Sequence, residues 1–454
     1  MKDNPGRAWT LLTDLYELTM GAAYYRQRMS APATFSLFIR DYPPDRAFFV
    51  SAGLEEVLDF LESFSFSQED LDYLESLQIF DDEFLNYLVE IRFTGDVRAI
   101  PEGRLFFKDE PILEVTAPII EAQLVETYVI NAINLQSCIA TKALRCVHAA
   151  QGRDCVDFSL RRTQGTDAGM KVARASHIGG FSKTSNVLAG KRYGIPVSGT
   201  MAHSFVTSFD DETDSFRAFA ETFPDSTVLL IDTYDTVQGA HKAALVGKEM
   251  AEQGHTLRGV RLDSGDMAAL SKEVRRILDH AGVRDTAIFA SGGFDEFKIA
   301  DTIEASARID AFGIGTKMGV SADAPYFDIA YKLVQYDGGP VLKLSSGKKT
   351  LVGEKQVFRV ATNGRLGHDT IALKHEELPG APLLMPVMKN GRRVQAHESL
   401  DVIRSRLREE FGFLDERYKV LRDPPAYPVE LGPALSTLQK KIVHEVREKE
   451  LGES

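Results

Sequence analysis

Apolar and polar positions follow three different patterns along the chain. Residues 11–114 mix helical stretches, such as 54–64, with short extended runs, such as 34–39. The segment 95–115 alternates apolar and polar residues with Gly, Pro and Asp at its bends, which predicts antiparallel strands. From about residue 118 to 330, short β-rich runs alternate with longer helical segments. The runs are 155–159, 196–200, 227–232, 259–263, 287–291 and 311–315. Their spacing is that of one strand plus one crossover helix, and their apolar character suits parallel strands covered on both faces. The third region, 331–454, opens with alternating segments around Lys343, Leu344 and Ser345. It closes on a highly charged helix, 436–450, read as a solvated face. The expected division is therefore 1–117, 118–330 and 331–454.

With 454 residues the chain is expected to form two large domains or about three smaller ones. Lys and Arg number 53 against 66 Asp and Glu, a net charge of −13. That balance argues against a general nucleic-acid binder, which needs a basic face to neutralise phosphates. The three cysteines, Cys138, Cys146 and Cys155, form neither a disulfide framework nor a CxxC metal knuckle. Residues 1–7 are polar and lack the apolar core of a signal peptide, and no apolar run is long enough to span a bilayer. The expectation is a cytoplasmic enzyme without membrane or nucleic-acid partners.

Polar residues cluster just past the apolar runs of the middle region. Phe158 is followed by Arg161 and Arg162, and Thr200 by His203. Further along come Asp232, Asp263 with Asp266, Ser291-Gly292-Gly293, and Gly313-Ile314-Gly315-Thr316. A parallel barrel of the TIM type builds its site on the loops at the carboxyl ends of its strands. The two glycine loops suggest phosphate, because glycine lets backbone N–H groups approach an anion and a following helix adds its dipole. Asp263 and Asp266 suit Mg²⁺-diphosphate or ribose hydroxyls, although Asp266 is equally suited to cap the next helix. Consecutive Arg161 and Arg162 could grip a phosphate or carboxylate in bidentate fashion. Of ten histidines, only His203 follows a β-rich run ending in Gly-Thr, where an imidazole could serve as base, acid or nucleophile.

Six motifs now stand in order. They are Thr13-Asp14-Leu15-Tyr16; Phe158-Ser159-Leu160-Arg161-Arg162; and Gly179-Gly180-Phe181 with Thr184-Ser185-Asn186. Then come Gly199-Thr200-Met201-Ala202-His203-Ser204; Val260-Arg261-Leu262-Asp263-Ser264-Gly265-Asp266; and Tyr331-Lys332-Leu333 followed by Lys343-Leu344-Ser345. In this the chain resembles the nicotinate phosphoribosyltransferases over residues 11–359. The resemblance implies an irregular α/β barrel plus an α/β sandwich built from both ends of the chain, usually in a homodimer with sites at the interface. It implies attack of nicotinate on C1 of 5-phosphoribosyl 1-diphosphate, with ATP hydrolysis coupled through a transiently phosphorylated histidine, here His203. By the same resemblance Tyr16, Phe158, Thr200 and Arg261 bind nicotinate, Tyr16 serving the partner's site. Arg161, Arg162, Ser291, Gly292, Gly293, Gly313, Gly315, Thr316 and Thr350 surround the phosphoribosyl substrate. Asp263 acts at the reacting centre and as a Mg²⁺ ligand. One departure stands out: Leu351-Val352-Gly353-Glu354-Lys355-Gln356 lacks the Pro-Gly usual in the family.

Three rivals stand at this level, of which a non-catalytic binding or scaffold protein is opposed by the intact series of polar strand ends. Nicotinamide is neutral, so its pocket would prefer a carboxylate, whereas Arg161, Arg162 and Arg261 favour an acid. An unrelated phosphate-binding barrel, such as an aldolase or isomerase, would want a lysine or a carboxylate base at a strand end, and no run ends in Lys or Glu.

Overall fold

The computed structural model describes residues 9–344 and 350–452, so Ser345 and residues 1–7 lie outside the described residues. Within it the chain divides into two compact units, 1–138 with 326–454, and 139–325. These divisions replace the expected ones at 117/118 and 330/331. The first falls inside the helix Glu126–Ala149, whose early residues Val129, Ala132, Ile133 and Cys138 belong to the core of the first unit.

In the first unit both ends of the chain enter one sheet. The strand Pro32–Ile39 lies between Leu113–Pro118 and Ile329–Tyr336, antiparallel to both. The 95–115 segment gives Asp96–Ala99, Leu105–Phe106 and the start of Leu113–Pro118, as its alternation predicts. Phe35 stacks on Tyr331 at 4.8 Å between centroids, an aromatic cross-strand contact that adds to area burial. The helix Leu54–Ser63 covers this core with Leu54, Val57, Leu58 and Leu61, spaced three and four apart on one face. Ser67 and Asp70 form a capping box that starts the next helix, Gln68–Ser76. A second sheet pairs Lys355–Thr362 with Arg365–Leu373. The charged C-terminal helix runs Pro433–Leu451 and buries only Leu435 and Ile442.

A buried acid in this unit gives a pH-dependent stability. Glu17, in the helix Leu15–Arg26, is fully buried. Its carboxyl accepts from the Thr13 hydroxyl at 2.5 Å, from the Thr127 N–H at 3.1 Å and from the Thr127 hydroxyl. Burial outweighs these bonds and pushes it from 4.5 up to about 7. The folded chain therefore holds this proton where the unfolded chain has released it, and stability falls as pH rises through that window. The loss is about 3 kcal/mol across the window. Glu17→Gln should flatten the fall in unfolding free energy between these two values; equal slopes for both proteins would reject this role.

The second unit contains a six-stranded sheet in the order Lys183–Thr184, Asp154–Asp157, Ala311–Ile314, Ala287–Ala290, Gly259–Leu262 and Val228–Leu230. Every pairing is parallel, making an open half-barrel crossed by helices such as Thr236–Glu252, Met267–Ala281 and Glu296–Glu304. Asp235, Asp266 and Asp295 each cap the helix that follows them, so Asp266 has the structural role. One expected strand, 196–200, is absent. Pro196 has no N–H to give a ladder, and only Val197 bridges to Thr184. Beyond the Ser198 N–H, which donates to the Thr184 carbonyl at 2.9 Å, the pairing ends, and the Met201 carbonyl accepts from Arg261. The strand Lys183–Thr184 has no counterpart among the expected runs.

Candidate active site

The loops after the parallel strands enclose a cavity of about 640 Å³. Phe158, Arg161, Arg162, Thr200, His203, Arg261, Asp263, Ser291, Gly292, Gly293, Gly313, Gly315 and Thr316 all line it. This is the carboxyl-end placement expected of an open or closed parallel barrel. Arg161, Arg162 and Arg261 face it with Asp263 as the one acid among the lining residues, in a chain of net charge −13.

One corner is set by Asp157, the last residue of its strand and 1% exposed. Its Oδ1 accepts from the Ser159 N–H at 2.9 Å and the Ser159 hydroxyl at 2.5 Å, and its Oδ2 accepts from the Thr184 hydroxyl at 2.7 Å. Burial raises its pKa against these three bonds. The carboxylate thus ties the Phe158 corner to the strand that presents Ser185, which also lines the cavity. The Phe158 ring fits only because residue 313 is glycine: a Cβ there would stand 2.6 Å from the ring. The short helical turn Leu160–Arg162 then exposes Arg161 and Arg162, and neither has a carboxylate partner among the described residues.

Arg261 rises from Gly259–Leu262, half-buried. Its Nη1 donates to the Thr200 hydroxyl oxygen at 2.6 Å and its Nη2 to the Met201 carbonyl at 3.1 Å. Its guanidinium carbon lies 6.0 Å from the Phe158 ring centroid. The Nε is buried and has no partner. Burial lowers the pKa of this group, while Asp263 and Asp232 oppose the fall and Arg161 adds to it. Among the described residues no carboxylate lies within ion-pair distance of it.

His203 begins the short helix His203–Val206, exposed to the cavity, with Nδ1 3.1 Å from the Thr233 hydroxyl. Thr233 follows Asp232, whose Oδ2 accepts from the Asp263 N–H at 3.0 Å and the Ser264 hydroxyl at 2.6 Å. The other oxygen of Asp232 is buried without a partner. Asp263 in turn accepts from the Ser291 hydroxyl at 2.5 Å. Gly292 and Gly293 take φ of +94° and +68°, values that favour glycine. At Gly292 a Cβ would also fall 1.9 Å from the Asp263 carbonyl oxygen. The two strand ends are tied by the Ser291–Asp263 hydrogen bond, with Gly292 close against the Asp263 backbone.

Tyr16 and Thr350 belong to the other unit and are not among the cavity's lining residues. Tyr16 is partly exposed, its pKa raised by burial and by the negative charge of nearby Glu126. Thr350 is buried; its hydroxyl accepts from the Lys343 N–H at 3.2 Å and its carbonyl from Gln439 at 3.0 Å. Among the described residues no group of three or more His, Cys, Asp or Glu side chains is placed to hold a metal ion. Asp263 lines the cavity, with Asp232 bonded to its N–H.

Three family models match the chain: the nicotinate phosphoribosyltransferase N-terminal domain over residues 11–134, the nicotinate phosphoribosyltransferase family over 153–365, and its C-terminal domain over 379–439. A nicotinate phosphoribosyltransferase of Mycobacterium tuberculosis is 50% identical, over 92% of this chain and 90% of that one. One from Bacillus subtilis is 38% identical, over 96% of each. The crystal structure of human nicotinic acid phosphoribosyltransferase superposes with a TM-score of 0.85 at 29% identity, covering 95% of this chain and 99% of the human one.

Proposed function

The chain belongs to the nicotinate phosphoribosyltransferase family, and from that premise we propose that it makes nicotinate mononucleotide and diphosphate from nicotinate and 5-phosphoribosyl 1-diphosphate. This is the entry of nicotinic acid into NAD salvage. ATP hydrolysis is coupled to it through transient phosphorylation of His203. The observation that carries the substrate assignment is Arg261: a half-buried guanidinium without a carboxylate, its Nε unpartnered, inside a cavity of small-molecule size. An acid satisfies it and a neutral amide does not.

The ring nitrogen of nicotinate supplies the electron pair that bonds to C1 as the C1–O bond to diphosphate breaks. The nucleophile needs no strong base. Negative charge grows on the departing diphosphate, so rate enhancement comes from positioning and from fixed cations and N–H groups. Arg161, Arg162 and the two glycine loops supply these, and Asp263 faces the ribosyl centre. Mg²⁺ bound to the diphosphate would offset part of its charge. Arg261 and Thr200 orient nicotinate beside the Phe158 ring. The Thr233 hydroxyl engages Nδ1 of His203 and leaves Nε2 to take the γ-phosphoryl group. Tyr16, from a partner subunit of a homodimer, and Thr350 complete the substrate contacts.

The test is to incubate purified protein with nicotinate, 5-phosphoribosyl 1-diphosphate and Mg²⁺, with and without ATP, and to measure the mononucleotide by chromatography. Product should rise with ATP, and His203→Ala should retain a basal rate that ATP no longer raises. Product indifferent to ATP in the parent protein removes the role of His203. Product from nicotinamide but not from nicotinate overturns the substrate.

A further inference from the structure

Behind the Ser291-Gly292-Gly293 loop stands a cation that does not itself line the cavity. Lys298 lies in the helix Glu296–Glu304. Its Nζ donates to the Gly292 carbonyl at 2.7 Å and sits 4.6 Å from the centroid of the Phe294 ring. The acids of this corner are engaged by other cations. Asp295 pairs with Lys317 at 2.7 Å, and the fully buried Glu296 pairs with Lys142 at 2.5 Å and Arg145 at 2.9 Å. Among the described residues, Lys298 has no carboxylate within ion-pair distance. A half-buried ammonium held by one carbonyl and one aromatic face keeps an uncompensated charge. Burial and the neighbouring Lys317 push its pKa down, while the more distant Asp295 and Asp263 only partly oppose the fall.

The hydrogen bond also has a direction. A trans peptide points its C=O and N–H to opposite sides, and among the described residues no peptide bond is cis. With the Gly292 carbonyl turned to Lys298, the Gly293 N–H is turned away from Lys298, which does not line the cavity, whereas Gly293 does.

We infer that Lys298 is a positioning residue for the anionic end of the substrate. It fixes the Gly292–Gly293 peptide so that its N–H is offered to a phosphate group, and it places a positive charge behind that N–H. This inference rests on the phosphoribosyl-transfer reading of the site.

The experiment is calorimetric titration of inorganic diphosphate in Mg²⁺ buffer, and separately of nicotinate, into the parent protein and into Lys298→Met and Lys298→Arg. Melting curves identify folded variants. Lys298→Met is expected to weaken diphosphate about tenfold or more while leaving nicotinate within about twofold, and Lys298→Arg to restore diphosphate to within about threefold. If Lys298→Met does not fold, Lys298→Gln is read in its place, with the same expectation. Unchanged diphosphate affinity in the neutral variant overturns the inference. So does equal weakening in the Met and Arg variants, or equal weakening of nicotinate, since each marks a structural anchor only. A parent protein that binds no diphosphate rejects the phosphoribosyl reading itself, and the role of Lys298 with it.

Discussion

Arg261→Ala should raise the nicotinate KM by about 30-fold to several thousand-fold. That is the range for losing one partner of a buried charge pair, about 2–5 kcal/mol, at tenfold per 1.4 kcal/mol. Nη1 and Nη2 each already spend a donor on Thr200 and Met201, which fixes the plane of the fork before substrate arrives. The ordering cost of a long side chain is thus met by the protein rather than by the ligand. The second N–H of Nη1 and of Nη2 is left for a carboxylate. Initial rates with nicotinate varied at saturating 5-phosphoribosyl 1-diphosphate measure the effect. The KM for the phosphoribosyl substrate should move only a few-fold, and an unchanged nicotinate KM would reject the assignment.

Gly292→Ala should damage the handling of the other substrate. A residue with a side chain at φ +94° is strained by about 1–3 kcal/mol, and the added carbon would collide with the Asp263 carbonyl at 1.9 Å. Either the loop moves or Asp263 does, and both line the cavity. We expect kcat/KM for 5-phosphoribosyl 1-diphosphate to fall by about 100-fold or more, since misplacement by about 1 Å costs that much. Gly293→Ala is the matched control: φ is +68° and a Cβ meets nothing within 4 Å. Steady-state kinetics on both variants compare them. Similar losses at both positions would show that backbone strain alone, and not the contact with Asp263, sets the effect.

How legible these features were in the sequence depends on their physical origin. The runs 259–263, 287–291 and 311–315 are visible because central parallel strands are apolar on both faces, and each forms within a residue of its expected end. Polar residues just beyond them lie at the cavity because a parallel sheet puts its following loops on one edge. Lys183–Thr184 escapes because two residues carry no periodicity. The run 196–200 misleads because Gly199-Thr200 is apolar-flanked for another reason: Arg261 takes its hydroxyl. Asp157 lies inside the expected run 155–159, and only its bonds to the distant Thr184 and the returning Ser159 reveal its part in the site. The unit boundary at Cys138 is hidden because an unbroken helix has no compositional seam there.

The order of the parallel strands has a consequence for how the second unit comes into being. Its earliest main strand, Asp154–Asp157, pairs with its latest, Ala311–Ile314, inside the sheet. Phe158 and Gly313 therefore meet only after nearly the whole intervening chain has been laid down. Closure of so long a loop comes before the contacts that compensate it, which makes such topologies slow to form. The cavity is consequently among the last features of this unit to appear during synthesis. A nascent chain that ends before Ala311 has Phe158, Arg161 and Arg162 in hand but nothing for them to enclose.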